Sequence, residues 1–322
     1  MVPQSHVLIK GTSEFYISEY MQDIMCYSGQ ERVFEDAAEH IQKLLLIEIN
    51  AKQIERLCHH YGEIIEEEQS RCTQEGECAE PNSKAIHYVM VDGSMIFTRE
   101  EGWKEIKLGR IFAQDSSVEI NKGRREIQSS QYVAHLGNHQ RFTEKMEYYL
   151  DRIAEKIFIA DGAKWIWNWA DAVYPEAIQI LDFFHAKEHL CNFAELCFSE
   201  EQQRQQWINQ QTLLLLNDKA EQIIDSLNSL NISNKGGKES REQLIKYYHA
   251  NLHRMQYRTF KEKGWLIGSG PIESAHRHVI QQRLKLSGQR WTIKGAQQVV
   301  NLRAEHKSNK WNTVLNFIKN AA

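Results

Sequence analysis

The sequence predicts an α/β protein in which short buried strands are set among long amphipathic helices. Three observations carry this. Apolar residues recur at three- and four-residue spacing over residues 13–68 and again over 186–262, the period of a one-sided helix. Between those blocks the period collapses into short apolar runs, Ile86-His87-Tyr88-Val89-Met90-Val91 and Ile157-Phe158-Ile159-Ala160, with the length and side-chain types of buried strands. The composition, 42% apolar and 25% charged with 4 prolines in 322 residues, is that of a globular chain and excludes disordered, collagenous and disulfide-scaffold classes.

No apolar stretch approaches the roughly 18 to 20 residues that a membrane-spanning helix needs, and the start lacks a basic-then-apolar signal pattern. A cytosolic location is expected. The 6 cysteines fit a reduced compartment, since a chain of this length supplies its own core.

The helical signal begins with residues 1–70. Phe34, Ala37, Ala38, Ile41, Leu44 and Leu45 form one stripe, and Ile54, Leu57, Tyr61 and Ile64 form another, with Asn50 placed to cap the second helix. This is a helix-turn-helix outline, readable as a packing module or as a groove reader; the run Glu66-Glu67-Glu68 would repel phosphate. Residues 71–84 lose the periodicity and read as a linker. Its Cys72 and Cys78 are spaced too widely for a zinc pair.

Strand signals dominate the next part, 85–200. After the run closed by Asp92-Gly93 come segments around 103–112 and 132–136, a helix over about 141–156, a strand at 156–160 closed by Asp161-Gly162, and a third buried run at 177–181 ended by Asp182. Residues 201–262 read as inserted helices, followed by 263–322 with its own helices. Trp165, Trp167 and Trp169 read as core, and Cys191 and Cys197 as buried thiols of the helical block.

The net charge of −4 hides a polarity. Residues 1–85 carry seven Lys/Arg against sixteen Asp/Glu, whereas 274–310 carry eight Lys/Arg against Glu305 alone. A basic segment of that density is a footprint for polyanions, or a solvated helix face.

Acids mark the candidate chemistry. An aspartate ending a buried strand lies at a sheet rim, where α/β folds build their sites, but Asp-Gly also caps turns. Glu273 heads a helix after Gly268-Ser269-Gly270-Pro271 and directly precedes the basic segment, so an acid opens onto the surface best suited to nucleic acid.

These features occur in a telling order. Val91-Asp92-Gly93, then Ala160-Asp161-Gly162-Ala163-Lys164-Trp165-Ile166-Trp167, then Asp182-Phe183-Phe184-His185-Ala186-Lys187-Glu188-His189-Leu190, then Gly268-Ser269-Gly270-Pro271-Ile272-Glu273-Ser274-Ala275 are followed by Arg283-Leu284-Lys285-Leu286-Ser287-Gly288-Gln289-Arg290-Trp291. Over about residues 13–317 the chain resembles the Kra-type family of bacterial insertion-sequence DDE transposases. The resemblance implies an RNase H-like mixed sheet with helices, a helical insertion between the second and third acids, and an N-terminal all-helical region. It implies Asp92, Asp161 and Glu273 as a catalytic triad holding two Mg²⁺ ions, with Mn²⁺ a possible substitute.

Asp182 and His185 resemble the auxiliary Asp-x-x-His motif of related mutator-type transposases, making His185 a candidate phosphate contact or proton shuttle; the other reading is that Asp182 caps a helix and His185 packs. Arg277, Arg283, Lys285 and Arg290 are the implied DNA-backbone contacts, with His278 and Lys294 behind them. The implied partners are element ends and target DNA, held by a homodimer or larger assembly, in a cytoplasmic, nucleoid-associated setting. Family members usually extend further upstream of the point corresponding to Met1, which implies a truncated copy or a fragment. Two alternatives stand beside the transposase: an RNase H-like structure-specific nuclease without strand transfer, and a decayed, non-catalytic helix-turn-helix DNA-binding protein.

Overall fold

Helix α1 (Glu19–Glu31) starts where the Ser18 hydroxyl accepts a hydrogen bond from the Met21 amide, 3.3 Å, satisfying one of the free donors of the first turn. This is a computed structural model, and it describes residues 15–75, 83–121 and 124–320. Helix α2 (Phe34–Leu45) buries Ala37 and Ile41 and stops at Leu46, which takes the left-handed conformation at φ 56°. Helix α3 (Ala51–Glu75) begins at the predicted cap, the Asn50 side chain accepting from the Lys52 amide at 2.8 Å.

Strand β1 (Ser83–Thr98) forms an antiparallel hairpin with β2 (Gly102–Ala113). The hairpin corrects one expectation. Asp92-Gly93 does not end the strand but sits inside it, opposite Leu108 and Lys107. A local Asp-Gly turn signal yields here to the ladder supplied by β2, and Gly93 has no side chain to collide with the Glu105 carboxylate lying over it.

A two-stranded ribbon follows, β3 (Ser117–Asn121) with β4 (Arg124–Ile127), which the sequence did not signal. Strand β5 (Gln131–Leu136) then pairs antiparallel with β2, and the Gln297 amide bonds to its backbone at Ala134 and Leu136. Helix α4 (His139–Leu150), capped by Asn138, ends earlier than expected because the chain turns at once into β6 (Ile153–Ala160).

Helix α5 (Lys164–Val173) connects β6 to its parallel partner β7 (Ile178–Leu181), a right length of crossover for parallel strands. Helices α6 (Phe183–Cys197), α7 (Glu201–Leu216), α8 (Ala220–Ser229), α9 (Lys235–Asn251) and α10 (Tyr257–Glu262) follow, with no strand between them, as the periodicity predicts. Helix α11 (Gly270–Ala275) passes into a π-helical stretch, His276–Gln281, then α12 (Gln282–Leu284), α13 (Ile293–Lys307) and α14 (Trp311–Asn320).

The α/β prediction therefore holds at the level of a mixed α/β protein. The chain divides into two compact units, one running to Glu155 and resuming at Ile272, the other Lys156–Pro271. In the first, the antiparallel strands β1, β2 and β5 and the β3–β4 ribbon accompany a helical core in which Met21, Met25, Ile41, Leu57 and Tyr61 pack with Leu302, Val314 and Ile318. The N-terminal helices thus share their core with the C-terminal ones. In the second, the parallel β6–β7 pair leads into the helical block, with Trp167 and Trp169 buried as predicted and Trp165 only half-buried. Cys191 and Cys197 lie on α6 but are only half-buried, correcting the expectation of buried thiols. Cys78 and the side chain of Cys72 lie outside the described residues.

Candidate functional site

In the first unit, β1 places Asp92 so that one carboxylate oxygen accepts from the Gly93 amide at 2.7 Å, while the other lies 3.4 Å from His276 Nε2. The His276 side chain is 4% exposed, and neither ring nitrogen has a well-formed hydrogen bond. Burial lowers its pKa against the pull of Asp92. Glu273 is exposed on α11, three residues before His276. Residues at i and i+3 lie one turn apart, so the imidazole touching Asp92 stands one helical turn from Glu273. The helix widens to π-helical geometry right at His276, a distortion that recurs at functional sites.

His276 is a residue the sequence reading missed. The signal was present in its spacing from Glu273, but a lone histidine on an apolar face is indistinguishable from a packed one until its neighbour on β1 is known.

In the second unit, Asp161 directly follows β6 and accepts from the Ala163 amide at 3.0 Å, turning the chain toward α5. Asp182, 2% exposed, caps α6 by accepting from the His185 amide at 2.6 Å, and its other oxygen accepts from the Ser269 amide. The carboxylate thus pins the Gly268-Ser269 loop to the start of the helix. Asp182 and His185 are linked through backbone, not through the imidazole. The His185 ring is 38% exposed, lies 3.4 Å from Glu188 and meets His189 edge-on at 5.1 Å.

A second missed residue is Tyr247, on α9 within the helical block. Its ring lies over Gly162, where any side chain would collide, and 4.2 Å from the His189 ring. The hydroxyl is buried without a hydrogen-bond partner, and burial together with the Asp161 and Asp182 charges drives its pKa well up. Nothing in a tyrosine of an amphipathic helix announces such a position.

The three implied acids are therefore divided by chain position: Asp92 and Glu273 belong to the first unit, Asp161 to the second. Among the described residues no three His, Cys, Asp or Glu side chains form a group that could hold a metal ion. As donors, the three carboxylates suit a hard, oxygen-seeking cation such as Mg²⁺.

Three of the eight cations of 274–310 pair with acids of the first unit. Lys294 pairs with Glu63 at 2.5 Å, and Lys307, His306 and Arg303 gather around Glu31. The acidic N-terminal helices and basic α13 answer each other. Arg283 is fully buried, which corrects its expected place on a surface facing a DNA backbone: the aromatic rings of Phe34 and Trp291 enclose it. Arg277, Lys285 and Arg290 are exposed. His278 is half-buried, 3.2 Å from the Tyr132 hydroxyl.

No protein-family model matches the chain, and no curated protein sequence matches it at a significant level.

Proposed function

We propose that the chain is a DNA transposase of the DDE type, built on an RNase H-like core and acting with Mg²⁺ to cut and join strands at element ends. The observation that carries the reading is the 3.4 Å approach of His276 to Asp92, because it ties the strand of one implied acid to the helix turn of another that is remote in sequence. The ordered motifs ending in Arg-Leu-Lys to Arg-Trp support it from the sequence side.

On this reading Asp92, Asp161 and Glu273 would hold the metal, which when bound activates the attacking hydroxyl and stabilises the leaving oxygen in an in-line displacement. His276, 3.4 Å from Asp92, packs against the carboxylate and limits the orientations open to it. Asp182 fixes the loop leading to Glu273, and exposed Arg277, Lys285 and Arg290 bind phosphates without reading sequence. Partners are the element ends and target DNA, held by at least two copies of the chain.

Asp161→Asn tests this. Strand cleavage in Mg²⁺ is expected to disappear while DNA binding persists; unchanged cleavage overturns the assignment. Supplying pre-cut ends with free 3′-hydroxyls separates the transposase from a structure-specific nuclease, since only the transposase yields joined products. Binding without cleavage or joining by the native chain points to the non-catalytic alternative.

A further inference from the structure

Two arginines of the first unit are wholly buried, and they are used differently. Arg303 donates from Nε to the Val279 carbonyl at 2.7 Å, from Nη1 to the Gln30 carbonyl at 2.6 Å, and from Nη2 to the His278 carbonyl. Each of its nitrogens is engaged. Arg283 donates only from Nε, to the Gly29 carbonyl at 3.1 Å, and neither Nη1 nor Nη2 has a hydrogen-bond partner. Its guanidinium carbon lies 4.8 Å from the ring centres of both Phe34 and Trp291. Cation–π contact offsets part of the desolvation, but it leaves the in-plane N–H donors unanswered. Burial lowers the pKa of Arg283 to about 10, which still leaves the group charged at neutral pH.

A cavity of about 280 Å³ is lined in part by Arg283. Arg99 and Arg290, both exposed, line it, and so do Thr292 and Gly295 from the start of α13. The N-terminus of this 15-residue helix adds positive potential. His59 contributes an imidazole whose Nε2 is buried without a partner. Glu35 and Glu55 also reach the wall; Glu55 is already bound by Lys52 at 2.6 Å. The rim is held in shape. The Trp291 carbonyl accepts from the Arg99 amide at 2.8 Å, Arg99 Nε donates to the Arg290 carbonyl at 3.0 Å, and the Trp291 indole donates to the Leu284 carbonyl at 3.2 Å.

We propose that this cavity is a binding site for a phosphate group, with the two unengaged arms of Arg283 meeting two of its oxygens and Arg99 and Arg290 closing over the rest. The planar fork of a guanidinium matches phosphate geometry in this way. The arms are covered by the aromatic pair, so seating the ligand takes a side-chain adjustment of the kind common at binding surfaces. The volume lies just under the roughly 300 Å³ at which small-molecule sites begin, room for a phosphate with little attached. The phosphate is either the free ion or one carried by a nucleic-acid strand. The inference does not depend on the acid triad.

The test follows inorganic phosphate by ³¹P line broadening on the full chain at constant ionic strength, with chloride as the control anion. Saturable broadening is expected, weakened about tenfold or more in Arg283→Met, which keeps the apolar stem between the rings. Arg290→Ala and Arg99→Ala change exposed side chains, so they keep the fold, and each is expected to weaken binding several-fold. Competition by a short 5′-phosphorylated oligonucleotide, but not by its unphosphorylated form, identifies the strand as the source, whereas no competition identifies the free ion; both support the site. Absence of saturable broadening by the native chain, or equal broadening in folded Arg283→Met, overturns it. Loss of cleavage chemistry in the triad variants leaves this result untouched.

Discussion

Glu31 Oε2 of α1 lies 3.5 Å from Nη1 of the fully buried Arg303 of α13, and the same carboxylate takes Lys307 and, at 3.1 Å, His306. The bond to His306, followed by those from Lys307 and Arg303, holds the Glu31 carboxyl far below the usual range. A depressed carboxylate contributes stability above its unfolded pKa near 4.5 and loses it as pH falls toward the folded value. Glu31→Gln is expected to destabilise the chain at pH 7 by roughly 2 kcal/mol, less than the loss for a fully buried pair because Arg303 keeps its three carbonyls. Urea midpoints taken at pH 7 and pH 3 check both parts: the variant should lose less than the parent on acidification.

His135 on β5 gives a second pH dependence in a different window. Burial first, then the Lys145 charge, pushes its pKa from 6.5 down to about 4, and its Nδ1 has no hydrogen-bond partner. The folded chain therefore holds this ring neutral where the unfolded chain protonates it. Stability is full above pH 6.5 and declines as pH falls toward 4, by at most about 3 kcal/mol. Replacing His135 with Gln should flatten the decline between pH 6.5 and 4; identical slopes for parent and variant would refute the assignment.

Two glycines set how closely elements approach, and their substitutions should diverge. A side chain on Gly62 of α3 would run into the backbone carbonyl of Gln298 on α13, where neither partner can yield. At Gly109 of β2 the obstacle is the Met146 thioether, the flexible end of a side chain. Gly62→Ala is expected to cost about 2–3 kcal/mol in spite of alanine's better helix propensity, and Gly109→Ala about 1 kcal/mol or less. Thermal melts of the two variants, compared directly, decide it.

Helices and buried strands were legible because each carries its signal locally: the stripes of α2 and α3, the cap at Asn50, the runs of β6 and β7. Asp182 was legible as a cap for the same reason. The misreadings fall where a remote partner decides. Asp92-Gly93 looks like a turn until β2 pairs with it, and Lys294, Arg303 and Lys307 look like free cations until Glu63 and Glu31 are seen opposite them. Arg283 looks like an exposed surface cation in sequence, yet Phe34, far upstream, buries it. Tyr247 carries no sequence signal, and the spacing of His276 from Glu273 gains meaning only from the neighbour on β1 that the fold supplies.

His276 offers the sharpest separation of a positioning role from a packing one. If its imidazole orients Asp92 for a cation, His276→Ala should weaken the stabilisation of the chain by Mg²⁺, shifting the concentration for half-maximal change in melting temperature by about 10- to 100-fold, the range for groups that orient metal ligands. His276→Gln, which keeps a donor near Asp92, should recover part of that shift. A packing role predicts another pattern: both variants would melt lower without Mg²⁺, yet reach half-maximal stabilisation at the parent's concentration. Because the readout is a binding midpoint and not a turnover, loss of folding stability cannot mimic the expected result.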